Sequence, residues 1–217
     1  MLGTPAAHHA EPIRHDTVYS ELRAGIIAQF ISPGDTVTES SAALRFDVAR
    51  PTARIAIERL VTEGLLRREP HQSARVPRLS SNDVNDLFTN RAIIEGAAIA
   101  SLTHRGNIPA AALQAHRSLR SSTTGFAQDD IRFHRALVAG QPSSRLTRMH
   151  ELLMGEIELC IGQVQSAQLL TANEVADQHQ GILDAITSGD ATTAERLTRE
   201  HILGARDRLL THLNSTN

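Results

Sequence analysis

The stretch DDIRFHRALV combines an acidic residue and a histidine at a spacing that suits metal binding. Asp130 and His134 are four residues apart, so on a helix both side chains project from one side. That side is also apolar, because Phe126, Phe133 and Leu137 flank the pair. A carboxylate placed against a hydrophobic core is costly unless it finds a partner cation or a metal ion. The pair therefore predicts a buried site for a cation.

Two further histidines lie on apolar stripes near the end of the sequence. His179 lies ten residues before Gly189, and His201 lies twelve residues after it. With a turn at Gly189 and a rise of about 1.5 Å per residue, the two rings stand at similar heights on facing helices. One aspartate and three histidines inside a helical bundle suit a divalent transition metal such as Zn, Ni or Mn. The alternative is that each histidine is an ordinary hydrogen-bonded residue of the core.

The segment ARPTARIAIERLVTEGLL, residues 49–66, predicts a helix with a basic side and an apolar side. Arg50 and Arg54 share one face near its beginning, where arginine can bind guanine through two hydrogen bonds or hold a phosphate. The inward stripe consists of Ala53, Ile57, Leu60 and Val61. Two extended runs follow, LLRREP and SARVPRL, which we interpret as a two-stranded wing whose arginines approach the DNA backbone. The alternative is a solvated basic face on an ordinary helical hairpin.

Charge is distributed unevenly along the chain. The 217 residues carry a formal net charge of only −2. Residues 45–78 contain eight arginines against four acidic residues, whereas residues 79–217 contain twelve arginines against fifteen acidic residues. A basic segment is therefore attached to a mildly acidic body, which favours DNA binding by the first part alone.

Helical periodicity dominates the chain, so we predict a mainly α protein. Residues 1–14 lack periodicity and are interpreted as a flexible tail. Residues 15–78 predict a winged helix-turn-helix, with its second and third helices near 39–46 and 50–63. Residues 79–217 predict six helices in an all-α antiparallel bundle. These helices are expected near 83–103, 108–121, 127–139, 144–166, 172–187 and 191–212.

Composition narrows the cellular context. Cys160 is the only cysteine, which excludes an internal disulfide, and the sequence lacks the early apolar run of an ordinary signal peptide. No window approaches the roughly 18 uninterrupted apolar residues of a membrane-spanning helix. We therefore expect a cytoplasmic protein.

The first part of the chain resembles the winged helix-turn-helix of GntR-family transcription regulators. The resemblance covers some 55 residues, which include LRAGIIAQFISPGD and ESSAALRFDVARPTARIAIERLVTEGLL. By matching positions, it implies that Arg50 and Arg54 read DNA. It also implies phosphate or minor-groove roles for Thr52, Ser73 and Arg75.

The chain departs from the family pattern at positions that concern the operator sequence more than DNA binding itself. The family's serine N-cap falls on Ala49, a change that typically costs about 1 kcal/mol, although Pro51 presets the first helical turn. The family's glutamate after the second arginine falls on Ile55, and its wing-tip glycine falls on Ser73.

The rest of the chain is similar to the FCD effector domain of the FadR subfamily. The similarity lies in NDVNDLFTNRAIIEGAAIASL, DIRFHRALVAGQPSSRL and DQHQGILDAITSGDATTAERLTREHI. It implies that the metal ligands of the family correspond to Asp130, His134, His179 and His201. The count of six helices is closer to the smaller VanR-type branch than to the seven-helix branch.

Together these features predict a ligand-responsive transcription regulator whose effector changes its affinity for operator DNA. A metal held by four side chains in six-coordinate geometry leaves two positions for a small carboxylate effector. Arg91 points inward and either grips that carboxylate or pairs only with Glu95. Because one recognition helix covers few base pairs, we expect a homodimer on paired half-sites. Release from the operator is usual in the family, so we expect a repressor.

Two other functions remain open from the sequence. Aspartate and histidine around an open metal could activate water, as in a metalloenzyme, but no motif places a general base in the bundle. A pure metal sensor with a structural metal site and no organic ligand is the second alternative.

Overall fold

The computed structural model describes residues 15–122 and 125–216 and has the mainly helical fold that the sequence predicts. The predicted tail, residues 1–14, lies outside the described residues. The helices are α1 His15–Ile27, α2 Glu39–Phe46, α3 Arg50–Thr62, α4 Ser81–Arg105, α5 Ala110–Arg120, α6 Ala127–Ala139, α7 Ser144–Ser166, α8 Ala172–Thr187 and α9 Ala191–Thr216. Two short strands are β1 Thr36–Val37 and β2 Ala74–Arg75. No helix in the described ranges is both long enough and apolar enough to cross a membrane.

Helices α1 to α3 form an N-terminal head whose core also includes Leu159 of α7. Thr38 caps α2, and its side chain accepts a hydrogen bond from the Ser41 backbone N–H in a capping box. The N-cap of α3 is Ala49, which makes no side-chain bond, and Pro51 lies in the first turn, as the sequence predicts. The buried core of the head includes Val18, Leu22, Ile26, Ala53, Ile57, Leu60 and Leu66. This packing leaves the opposite face of α3 at the surface.

The wing differs from the sequence prediction in its strand partner. β2 pairs antiparallel with β1, in a register that places Thr36 opposite Arg75. The predicted partner run, residues 65–70, is joined to β2 through an isolated bridge between Arg67 and Arg75. β1 has only two residues, too few for an alternating pattern to identify it in the sequence. The wing is therefore anchored to the segment before α2 as well as to the chain that follows α3.

Helices α4 to α9 form the predicted six-helix arrangement, and α6, α7 and α8 have the predicted bounds. Ser80 caps α4 in a second capping box, and Gly106 ends it with a φ of 65°, in the left-handed region that favours glycine. α4 packs along α9 and also contacts α6 and α8. The inward faces carry the apolar residues Phe88, Leu119, Phe133, Met154, Ile157, Ile182 and Ile202. This packing brings α4, α6, α8 and α9 around a common interior.

Two glycines of α7 make close backbone contacts with the head. Gly155 lies against the backbone carbonyl of Glu63, just after α3, so a Cβ at this position would overlap that oxygen. Gly162, seven residues later on the same face, lies against the carbonyl of Ile27 at the end of α1. Because glycine has no Cβ, both head helices approach the α7 backbone closely.

Gly155→Ala is expected to destabilise the protein by about 1 to 3 kcal/mol, the usual cost of forcing atoms into a packed contact. The added methyl group meets backbone atoms rather than a flexible side chain, so the end of α3 must move. Urea unfolding followed by circular dichroism measures this change. Gly204→Ala is the control, because nothing lies within 4 Å of a Cβ at that position of α9. The free energy of unfolding of the control should increase by about 0.5 to 1 kcal/mol. Equal stability of the two variants would contradict a close contact at Gly155.

Candidate metal centre and DNA-reading face

Three helices bring the four predicted ligands together. Asp130 and His134 lie one turn apart on α6, His179 lies on α8 and His201 lies on α9. All four are buried, with 6% or less of each residue exposed. One candidate ligand atom from each lies within 4.8 Å of the other three. The His179 ring also stacks on Phe133, with 3.9 Å between the ring centroids, which fixes its plane.

Asp130 Oδ1 is the focus of this cluster. Its distances to Nε2 of His179, His201 and His134 are 3.2, 3.4 and 3.6 Å. Bonds of about 2.1 Å to a shared ion place neighbouring ligand atoms about 3.0 to 3.5 Å apart, close to these separations. Asp130 Oδ2, His134 Nε2 and His179 Nε2 are buried without a hydrogen-bond partner. Since buried polar atoms rarely lack partners in proteins, the cluster fits a divalent cation.

The protonation states of Asp130, His179 and His201 also suit a cation. Burial lowers the pKa of His179 to about 3 and lowers the pKa of His201 as well, so both rings are neutral and can donate a lone pair. Burial alone would raise the pKa of Asp130, but the charge of His134 and the close rings of His179 and His201 hold it well below its usual range. Asp130 is therefore an anion that faces two neutral imidazoles.

Oxygen acceptors on the far side of two rings orient them. His134 Nδ1 lies 2.5 Å from Glu95 Oε2, and His201 Nδ1 lies 2.7 Å from Gln178 Oε1. An acceptor at Nδ1 takes the N–H there and leaves the Nε2 lone pair directed at the cluster. Burial alone would lower the pKa of His134, but the carboxylates of Glu95 and Asp130 together outweigh this effect, and the pKa is raised.

Glu95 joins the cluster to a buried histidine that the sequence motifs do not identify. His150, on α7, is fully buried and has its Nε2 2.8 Å from Glu95 Oε1. It lies in a helical stripe with Met154 and Ile157, the same pattern that marks His179 and His201. That pattern was the available signal for His150, although the partner Glu95 could not be read from it.

Arg91 is fully buried beside the cluster. Its Nε donates to Glu95 Oε1 at 2.7 Å, which is the salt bridge that their spacing allows, and its Nη2 lies 4.0 Å from Asp130 Oδ2. Neither Nη1 nor Nη2 has a hydrogen-bond partner among the described residues. The pairing with Glu95 therefore leaves two nitrogens of the guanidinium for the oxygens of another carboxylate.

The residues predicted to contact DNA are accessible on the head. Arg50 and Arg54 are exposed in the first two turns of α3, and Thr52 is half-buried between them. Ser73 and Arg75 are exposed in the wing. The structure thus leaves the beginning of α3 and the wing open to a DNA groove.

A winged helix-turn-helix head joined to an all-helical domain with a buried polar cluster defines a class, that of bacterial transcription regulators with an effector domain. Two family models match the chain. One is described as bacterial regulatory proteins, gntR family, and matches residues 14–76; the other is the FCD domain and matches residues 86–204. The chain therefore belongs to the GntR family and carries the FCD domain of the FadR subfamily, as its motifs predict.

Curated relatives and a solved structure agree with this assignment. The chain is 26% identical over 201 residues to the HTH-type transcriptional repressor GlaR of Escherichia coli K12, covering 85% of this chain and 90% of that protein. It is 24% identical over 181 residues to the HTH-type transcriptional repressor NanR of Cronobacter sakazakii, covering 72% and 70%. The fold is similar to that of a GntR transcriptional regulator from Rhodococcus sp. RHA1, with a TM-score of 0.77, 22% identity, and coverage of 91% and 97%.

Proposed function

We propose that the protein is a metal-dependent metabolite sensor that represses transcription. Its head binds operator DNA, and its FCD domain binds a divalent metal ion together with a small carboxylate that alters operator affinity. The observation that carries this proposal is the convergence of Asp130 and three histidines beside a buried guanidinium with two unpaired nitrogens. Both curated relatives described above are named repressors, which supports the direction of regulation.

Different side chains would bind the metal ion and the effector. Asp130, His134, His179 and His201 would hold the ion, which we propose to be Zn, Ni or Mn. The bound ion would supply a Lewis-acid centre for the oxygens of the effector. Arg91 Nη2 lies 4.0 Å from Asp130 Oδ2, so one small molecule can contact both the cluster and the guanidinium. Burial of all these groups limits the effector to a small acid and strengthens each charge interaction.

On the DNA side, Arg50 and Arg54 read base edges, while Thr52, Ser73 and Arg75 hold the backbone or the minor groove. One recognition helix covers few base pairs, so two copies of the chain would bind half-sites about 34 Å apart. We infer a cytoplasmic homodimer as the active form. The effector changes operator affinity by the difference in its affinity for the two arrangements of that dimer.

Release of the operator by a small acid tests this function. Genomic DNA fragments selected by the purified protein provide the operator, and lactate, malate and citrate are titrated into complexes of zinc-loaded and zinc-free protein. We expect one of these acids to release the operator from the zinc-loaded protein but not from the zinc-free protein. Release by zinc alone would favour a metal sensor, and consumption of the acid would favour a metalloenzyme.

Arg91→Lys is expected to raise the acid concentration needed for release by at least about tenfold. Lysine keeps a positive charge beside Glu95 but loses the bidentate fork, and a hydrogen bond to a charged group contributes about 1.5 to 3 kcal/mol. Fluorescence anisotropy of labelled operator measures the release curve. Arg105→Lys, at an exposed position of the same helix, is the control and should behave as the wild type. An unchanged curve for Arg91→Lys would remove Arg91 from the effector site.

A further inference from the structure

One side of α7 faces the head with Gly155, Glu158 and Gly162. Gly155 and Gly162 make the carbonyl contacts with the ends of α3 and α1, and Glu158 lies between them in the sequence. Residues three and seven positions apart share a helix face, so Glu158 points into the junction between the head and the bundle. It is 2% exposed, so its carboxylate must find its partners within that junction.

Two arginines from opposite sides of the junction share this carboxylate. Arg23, on α1 of the head, pairs with Glu158 Oε2 through its Nη2. Arg135, on α6, donates from Nη1 to Glu158 Oε1 at 2.5 Å. Burial raises the pKa of Glu158, and the two guanidinium groups oppose that effect. Each carboxylate oxygen serves one arginine, so the three side chains form a continuous path from the head to α6.

Arg135 directly follows His134 on α6. Successive side chains of a helix point about 100° apart, so α6 turns Asp130 and His134 toward the cluster and Arg135 toward Glu158. A shift of α6 at the cluster therefore displaces Arg135 as well. A cavity of about 580 Å³ between α1 and α6, with Arg23, Arg135 and Glu158 in its lining, gives these helices room to move relative to each other.

We propose that Glu158 is the positioning residue through which α6 sets the orientation of the DNA-reading head. This rests on the proposed function, in which α6 supplies two of the metal ligands. Occupation of the cluster fixes α6, Arg135 then holds the Glu158 carboxylate in place, and the carboxylate holds Arg23 on α1. α3 follows α1 because the two helices share the core of the head. An effector that displaces α6 therefore redirects the recognition helix, and two sites become coupled through one carboxylate.

Hydrogen exchange of the full chain, followed by mass spectrometry, tests this path. Zinc ion alone is added to protein that has been freed of metal with EDTA, and exchange is compared in α6 and in the second half of α1. In the wild type, zinc is expected to slow exchange in both helices. In Glu158→Gln, zinc should still slow exchange in α6, but the slowing in α1 should be lost. The reason is that a neutral amide no longer holds two guanidinium groups.

Glu151→Gln is the matched control. Glu151 also lies on α7, and its carboxylate lies 3.1 Å from Arg135 Nε. Unlike Glu158, it is exposed, and its ion pair with Arg135 does not involve the head. This variant should keep the zinc response of α1. Arg23→Gln breaks the path from the head side and leaves α6 and α7 unaltered. It should lose the α1 response, so the test does not depend on the folding of Glu158→Gln alone.

The outcomes separate this proposal from the function on which it rests. If zinc slows exchange in α6 but not in α1 of the wild type, or if both path variants keep the α1 response, the role of Glu158 is overturned. If zinc slows exchange in neither helix and metal analysis finds no bound zinc, the metal site itself is refuted, and the role of Glu158 falls with it.

Discussion

Asp130→Asn and His179→Ala are expected to lose the divalent metal that the wild-type protein retains on purification. Asparagine replaces the anion that lies 3.2 to 3.6 Å from three imidazole nitrogens with a neutral amide, and alanine removes one of those nitrogens. Changes to residues that only support a ligand typically cost 10- to 100-fold in metal affinity, so loss of a ligand should cost more than about 100-fold. Elemental analysis after gel filtration measures the bound metal.

Thermal unfolding provides an independent readout of the same loss. An ion that binds only the folded chain stabilises it by about 2.7 kcal/mol when its free concentration is 100 times the Kd. Zinc should therefore raise the Tm of the wild type and leave the Tm of Asp130→Asn and His179→Ala nearly unchanged. These two variants probe different helices, α6 and α8, so a shared result reports on the cluster and not on one helix.

His116→Asn is the control for both measurements. The His116 ring lies near the cluster, with its centroid 6.4 Å from that of His179, but its Nε2 is 3.0 Å from Gln180 Oε1 and it is not one of the four candidate ligands. It should keep its metal. Wild-type metal content in the Asp130 and His179 variants would refute the assignment, as would an equal loss in the His116 variant.

The cluster was predictable because all its members follow one rule, a polar residue in an apolar helical stripe. The proximity of Asp130 and His134 follows from their spacing on one helix. The proximity of His179 and His201 follows from a single turn between two helices, at Gly189, whose φ is 74°. The Arg91–Glu95 pair likewise follows from a spacing of four residues. Spacing within a helix could not predict that Glu95 accepts from His134, because that contact depends on how α4 packs against α6.

The strand pairing of the wing and the glycine contacts between α7 and the head could not be predicted from the sequence. β1 is a pair of residues without a pattern, so its pairing with β2 is visible only in three dimensions. Gly155 and Gly162 lie inside a helical pattern in which a glycine is merely tolerated. Only the carbonyl groups that contact them explain why a side chain is absent. Long-range contacts of this kind are set by tertiary packing rather than by local propensity.

Arg50→Ala and Arg54→Ala are each expected to weaken specific operator binding strongly and leave the fold intact. A bidentate contact between arginine and guanine contributes about 1 to 3 kcal/mol of discrimination, and a dimer makes each contact twice. The expected loss is therefore about 2 to 6 kcal/mol, or roughly 30-fold and more in Kd. The Arg54 side chain is 66% exposed, and its pairs with Glu39 and Glu58, at 3.9 and 3.8 Å, contribute little to stability.

Titration of operator and unrelated DNA at several salt concentrations distinguishes base reading from charge alone. Arg50→Ala and Arg54→Ala should weaken operator binding selectively. Arg75→Ala, in the wing, should weaken binding to both DNAs similarly. It should also reduce the slope of log affinity against log salt concentration by about 1, as loss of a phosphate contact does. Arg196→Ala, on the exposed face of α9, is the control and should bind as the wild type. Operator affinity at the wild-type level in both α3 variants, with an unchanged Tm, would show that these arginines do not read the operator.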